Sequence, residues 1–284
     1  MFARAYATVA TIGLTRELLR SLDAIAAVAQ SRYAQGQGNQ QDAISAESEK
    51  GRLQIDIERL EAERWTARAR LNALLNRPAG APLADPEVLP PVPDTEAMPL
   101  VAVLERAAAN PRLGAERAEV TASQRSAELV RRSWYPDVTV GLSVFDEDGS
   151  SDRQFGGYEA MVSVDIPLQW GLRHARERNA AAKLAASRAR RESTEADLRG
   201  DIEEAWWSLH AARRSEAILR RINIPQASVM LRSTLAGYEL ARVDLPSVLL
   251  AEQGVRRTEV ERINLLVEQQ MRLADLERLI GGEL

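Results

Sequence analysis

Apolar positions recur along this chain in two rhythms. Between Thr11 and Arg32, Leu14, Leu18, Leu22, Ile25 and Val28 return every three or four residues, which puts them on one stripe of a helix. That helix stops near Gly36 and Gly38. A second runs from about Gln41 to Asn76, with Leu53, Ile57, Leu60, Ala67, Leu71 and Leu74 at heptad spacing, so the two are expected to pair as a hairpin. Pro78, Pro82, Pro86, Pro90, Pro91, Pro93 and Pro99 then crowd residues 77–99, a density that no helix or central strand tolerates, and this stretch reads as a connector. A short helix over 100–108 precedes Asn110-Pro111, an N-cap residue followed by Pro at the first helical position, which opens a helix to about Ser133.

From Asp137 to Phe145 the rhythm changes to two. Val138, Val140, Leu142 and Val144 alternate with Thr139, Gly141 and Ser143, the signature of a strand with one apolar face. After a polar loop over Asp146–Gly157, Val162, Val164, Ile166 and Leu168 alternate again across 161–168. Beyond this hairpin a helix is expected from Gly171 to Arg221, roughly 75 Å long at the standard rise, with a break at Ile224-Pro225. A resumed helix reaches about Leu240, and a last one covers Ser247–Ile280 before Gly281-Gly282 ends it. The chain thus divides into a first helical hairpin (1–76), the Pro-rich connector (77–99), helices leading to the strands (100–133), the β-hairpin (134–170) and long helices with a second turn (171–284).

Shifting the sequence by 205 residues lays Tyr33 on Tyr238, Glu47 on Glu252, Arg52 on Arg257, Ala69 on Ala274, Leu71 on Leu276 and Leu74 on Leu279. Chance likeness between helices rich in Ala, Arg, Glu and Leu competes with duplication. The tyrosines aligned at both turns favour a duplicated helical hairpin.

Two strands alone leave their edges unpaired and are marginal in water. Each run approaches the roughly 9–11 residues that a tilted strand needs to cross a bilayer. Trp134, Tyr135 and Trp170 stand at one end, Phe145, Phe155 and Tyr158 near the other, as in two interfacial girdles. A soluble hairpin packed on helices explains the alternation equally well. Girdle placement between very long helices favours a barrel closed by strands from several chains. The predicted class is mainly α with a small β part: long antiparallel helical hairpins in a coiled-coil barrel, plus a two-stranded segment of a transmembrane β-barrel.

Composition narrows the function. The 37 basic and 41 acidic residues are interleaved and sum to a net charge of -4, which argues against nucleic acid as a partner. Cysteine is absent and only His174 and His210 could offer imidazole, so no metal centre is expected, and no cofactor. No apolar run reaches the roughly 18 residues of a membrane helix, so any crossing must use strands. No nucleophile elbow, phosphate loop or dinucleotide fingerprint occurs, and no enzyme is predicted. The cluster Glu203, Glu204, Trp206 and Trp207 reads as an amphipathic helix packing its aromatic pair.

Several segments together resemble the TolC-like outer-membrane efflux proteins. They are Arg32-Tyr33-Ala34-Gln35-Gly36, Gly237-Tyr238-Glu239-Leu240-Ala241, Ala109-Asn110-Pro111-Arg112-Leu113, Ser133-Trp134-Tyr135-Pro136-Asp137 and Val164-Asp165-Ile166-Pro167-Leu168. The resemblance implies a homotrimer in the outer membrane of a Gram-negative bacterium, with a twelve-stranded barrel, four strands per chain, above a helical tunnel through the periplasm. It further implies contact with outer-membrane lipid, a periplasmic adaptor (membrane fusion) protein and an inner-membrane efflux pump of the resistance-nodulation-division type, with small molecules or metal ions exported. Only two strands occur here, so a first strand pair and an export signal are expected upstream of Met1. Carried over by position, the adaptor-docking tip turns are Tyr33, Gly36, Gln41 and Asp42 in one copy and Tyr238, Ala241, Asp244 and Leu245 in the other. Gly36 and Gly38 suit a chain reversal, whereas Ala241 stands where Gly is expected. Asp244 is the candidate for a carboxylate ring in the pore, against the plainer role of helix N-cap. The alternative reading is a soluble coiled-coil scaffold that binds partner helices.

Overall fold

A computed structural model describes residues 1–36, 38–94, 98–146, 156–165 and 170–284. In chain order these form α1 (Phe2–Ala34), α2 (Gln40–Leu74), α3 (Leu100–Ala107), α4 (Pro111–Arg132), β1 (Asp137–Asp146), β2 (Gly156–Asp165), α5 (Trp170–Ile218), a π-helical turn (Leu219–Asn223), α6 (Ile224–Glu239) and α7 (Leu245–Ile280). They divide into two compact units, one of Met1–Glu105 with Asp201–Leu284, the other of Arg106–Gly200.

The first unit is built on two helical hairpins, α1–α2 and α6–α7, with the last part of α5 and most of α3 beside them. Leu18, Leu22, Ile25, Ala26 and Ala29 of α1 close a core with Ala46 and Leu53 of α2, Tyr238 of α6, and Leu245 and Val248 of α7. The apolar stripe expected over Leu14–Val28 is therefore the buried face of α1. Both hairpins reverse in the same way. Gly36 has φ +72° and Ala241, its partner at the 205-residue offset, has φ +58°. Each occupies the left-handed position just past a helix end, where the helix leaves carbonyls unmet; in the second turn the Arg242 N–H donates to the Gly237 carbonyl at 2.8 Å. Gly237 itself is required by packing, since a Cβ there would lie 2.6 Å from Val243 Cγ2. Gly38, expected to share the unusual backbone angles of Gly36, does not: it lies close against Arg32 instead.

The Pro-rich connector is fixed by side chains, because prolines supply no N–H and leave their neighbours' carbonyls without ladder partners. Asn72 Nδ2 donates to Ala79 and Ala81 at 3.1 and 2.9 Å, and Arg68 holds Asp85 at 2.8 Å with Arg64 on its other oxygen. Further along, Arg213 reaches the Pro93 carbonyl and pairs with Asp94 at 3.1 Å, while Trp206 Nε1 donates to Met98 at 3.0 Å. Trp206 is buried, but Trp207 is 57% exposed and meets it edge-on at 4.8 Å, so only one ring of that pair is packed inward.

The break expected at Ile224-Pro225 does not occur. The helix widens into the π turn, where the Ile224 N–H donates to the Leu219 carbonyl five residues back, and then continues. The extra residue in the turn accommodates a proline that cannot donate and whose ring would crowd the preceding turn of a regular α-helix.

In the second unit Asn110 caps α4 as expected, its Oδ1 accepting from Arg112 N at 2.7 Å with Pro111 at the first helical position. β1 and β2 pair antiparallel, Val138 opposite Val164, Val140 opposite Val162, Leu142 opposite Ala160 and Val144 opposite Tyr158. β2 begins at Gly156, five residues before the expected start at 161, because the ladder extends to Asp146 opposite Gly156. Ile166, Pro167 and Leu168 of the expected second strand lie outside the described residues, as does Phe155.

Candidate functional site: helical turns and an unpartnered β-hairpin

The eight turn positions divide by burial. Tyr33 is 48% exposed, and Gly36, Gln41, Ala241 and Asp244 are also at the surface, whereas Tyr238 and Leu245 are almost wholly buried. The matched tyrosines thus differ in setting although they occupy equivalent turn positions. Tyr238 is held by Arg32 and Asp42. The Arg32 guanidinium lies 4.6 Å from the centre of its ring and donates to its backbone carbonyl at 2.5 Å, and the Tyr238 hydroxyl donates to Asp42 Oδ2 at 3.3 Å. Burial, with the Asp42 carboxylate adding to it, raises the phenol above its ordinary range. This cross-link joins the α1–α2 turn to the α6–α7 turn. Sequence pattern placed Tyr238 and Asp42 at the turns, but missed Arg32 as their partner, since nothing in a one-dimensional spacing marks which arginine stacks on a ring.

Asp244 caps α7. Its Oδ1 accepts from Ser247 N at 3.2 Å and from the Ser247 hydroxyl, and these bonds hold its carboxyl below the usual range. Asn39, at the matching offset, precedes α2 without a side-chain cap. Between α1 and α2, just short of the first turn, lies an open groove of about 600 Å³ lined by Gln30, Tyr33, Ala43, Ile44 and Glu47, with Ile44 61% exposed.

The β-hairpin carries the other feature. The apolar side chains of its one face stand in solvent: Val140, Leu142, Val144 and Tyr158 are 72%, 75%, 68% and 81% exposed. The opposite face pairs Thr139 with Ser163, Gly141 with Met161 and Ser143 with Glu159. Among the described residues no third strand meets either edge. At the hairpin's foot Trp134 packs on Trp170 at 5.8 Å and on His174 at 5.0 Å, with the Arg173 guanidinium 5.8 Å from the Trp134 ring centre. Tyr135 and Trp170 remain mostly exposed, at 74% and 62%. Each strand is ten residues long. A hairpin of this length with one bare apolar face and two open edges is the form taken by a piece of a larger closed sheet. No helix among the described residues is long and apolar enough to cross a membrane.

Paired helical hairpins and a β-hairpin of this kind define a mainly helical class with a small two-stranded sheet. Residues 103–282 match the model of the outer membrane efflux protein family, and the chain belongs to that family. It is 23% identical over 262 residues to the cobalt-zinc-cadmium resistance protein CzcC of Cupriavidus metallidurans, a match covering 90% of this chain and 60% of that relative. The chain therefore spans about three fifths of the relative's length. Among solved structures, the outer membrane protein VceC of Vibrio cholerae superposes with a TM-score of 0.83 at 16% identity, covering 99% of this chain and 68% of that one. CusC gives a TM-score of 0.82 at 16% identity (99% and 67%), and the MtrE outer membrane channel of Neisseria gonorrhoeae gives 0.72 at 19% (99% and 65%). At these identities the superpositions establish the fold.

Proposed function

We propose that this chain is a subunit of an outer-membrane exit duct in a tripartite efflux system, a passive channel across the periplasm and not an enzyme. The observation that carries the reading is the ten-residue β-hairpin whose apolar face stands bare and whose edges are open, in a chain of the outer membrane efflux family. Burying that face in lipid and closing its edges with strands of neighbouring subunits satisfies both demands at once. A barrel of twelve strands needs four from each of three copies, this pair and a second pair. Six would enclose too narrow a lumen to conduct.

The turns are the periplasmic mouth in this reading. Tyr33, Gly36, Gln41, Asp42, Tyr238, Ala241, Asp244 and Leu245 belong to it, with the α1–α2 groove at Tyr33 and Ile44 receiving a helix of the adaptor. Leu245 acts from inside by fixing the turn, and an inner-membrane pump would lie beyond the adaptor. Trp134, Tyr135, Trp170 and Tyr158 mark the two levels of the membrane interface. Export of metal ions is favoured over other small molecules by the likeness to a cobalt-zinc-cadmium resistance protein. The test is expression of the full-length protein in a Gram-negative host, followed by membrane fractionation and chemical cross-linking. Outer-membrane trimers are the expected result; a soluble monomer would refute the duct. Replacing Gly36 with Val should leave the trimer in place and lower efflux, since the turn needs a left-handed residue.

A further inference from the structure

One turn beyond Val248 on α7, and one turn beyond Ala46 on α2, the core around the two turns contains carboxylic acids. Glu252 has no exposed surface and Glu49 is 3% exposed. Glu49 is partnered, by Arg52 at 3.0 Å and by Gln253 Nε2 at 3.4 Å. Neither oxygen of Glu252 has a hydrogen-bond partner. An unpaired buried carboxylate is far costlier than its protonated form, so such a group takes up a proton instead of staying charged. Burial is the main cause that pushes the Glu252 carboxyl up to about 7; Arg256 pulls against it and Glu49 adds a smaller push.

The charged groups on α1, α2 and α7 in this region are paired with one another. Arg256 on its own helix is engaged with Asp56 of α2 at 3.0 Å, Arg52 of α2 with Glu49, and Lys50 of α2 with Asp23 of α1 at 2.9 Å. From α6 the same core receives the apolar Leu231 and Leu235, and Arg232 is the one charged residue between Pro225 and Tyr238. Arg52 and Arg256 already supply positive charge beside the two acids, which disfavours a divalent cation there and leaves the proton as the natural occupant.

We propose that Glu252, with Glu49, is a proton-sensitive layer in the turn-proximal half of the helical hairpins: protonated Glu252 lets α2 and α7 pack tightly, and its ionisation loosens them around the two turns. The inference rests on the duct reading only in making those turns a channel mouth. Its sign follows from a carboxyl raised in the folded chain. Packing is tightest below the ordinary glutamate value near 4.5, weakens as pH rises, and has lost the full contribution above about 7.

The chain has no cysteine, so Ile44→Cys and Leu250→Cys, at positions 61% and 71% exposed on α2 and α7, give two unique spin-label sites. Pulsed electron-spin distances in the full, detergent-solubilised chain should show a narrow distribution at pH 5.5 and a broader one at pH 8.5. With Glu252→Gln added, which mimics the protonated acid, the distribution should stay narrow at both. An unchanged distribution in the parent, or undiminished broadening in the Gln variant, would overturn the proposal. An infrared titration of the unlabelled chain guards against a misfolded variant: a protonated carboxyl band should vanish with a midpoint near 7, and its absence at pH 5.5 would also overturn the proposal. Fractionation of the same protein away from the outer membrane, with the distance change intact, would leave the proton layer standing and remove only the channel mouth.

Discussion

Replacing Ala241 with Gly should tighten the α6–α7 turn. Ala241 sits at φ +58°, where its Cβ crowds the backbone, while the equivalent Gly36 at +72° has no Cβ to crowd. An L-residue in this region costs about 1–2 kcal/mol, and glycine returns about 0.4–1 kcal/mol through the greater freedom of its unfolded chain. The net gain is about 0.5–1 kcal/mol. It should be felt locally, because Arg242 and Val243 donate to the Gly237 carbonyl at 2.8 and 3.2 Å directly after the strained residue. Amide hydrogen exchange at those two positions should therefore slow by roughly two- to fivefold if they exchange through opening of the turn. The converse variant, Gly36→Ala, should speed exchange at the first turn by a similar or larger factor. Unchanged or faster exchange at Arg242 and Val243 in Ala241→Gly would refute the claim that the turn carries left-handed strain.

Asp244→Ala removes the oxygen that accepts from Ser247 N and should show as faster exchange in the first turn of α7 alone. Asp85 is held by Arg64 and Arg68, and the Arg64 guanidinium keeps its carboxyl below the usual range, so its contribution is present above about 3.8 and lost as pH falls through the lowered value. Asp85→Asn should free the connector at neutral pH, costing about 1 kcal/mol after solvent screening, and acid should then loosen it less than in the parent, as read by proteolysis within 77–94. Val140→Arg places a charge on the bare face of the hairpin and should destabilise the membrane-inserted form by about 2–4 kcal/mol in denaturant titrations from lipid, whereas Thr139→Arg on the other face should cost much less.

Period located most of the helices and the faces of the strands, since burying one stripe of a helix or one side of a sheet imposes spacing on every residue that contributes. Leu18, Leu22 and Ile25 could be assigned inward, and Val138 and Val140 to one face with Val162 and Val164, without any knowledge of their neighbours. The Asn110 cap was legible for the same reason: its bond to Arg112 is local. What tertiary structure decided were effects that depend on residues far apart in the chain or on backbone geometry. The 205-residue offset paired Tyr33 with Tyr238, yet only packing put one ring outside and the other under Arg32. Pro225 carries the usual sign of a helix end, but a wider turn let the helix continue. Glu252 follows the same surface-like pattern of acids as its match Glu47, and only the meeting of α2 with α7 buried it without a partner. Spacing records which side of an element faces inward, whereas the charge state and contacts of a buried group are set by what the other elements bring to meet it.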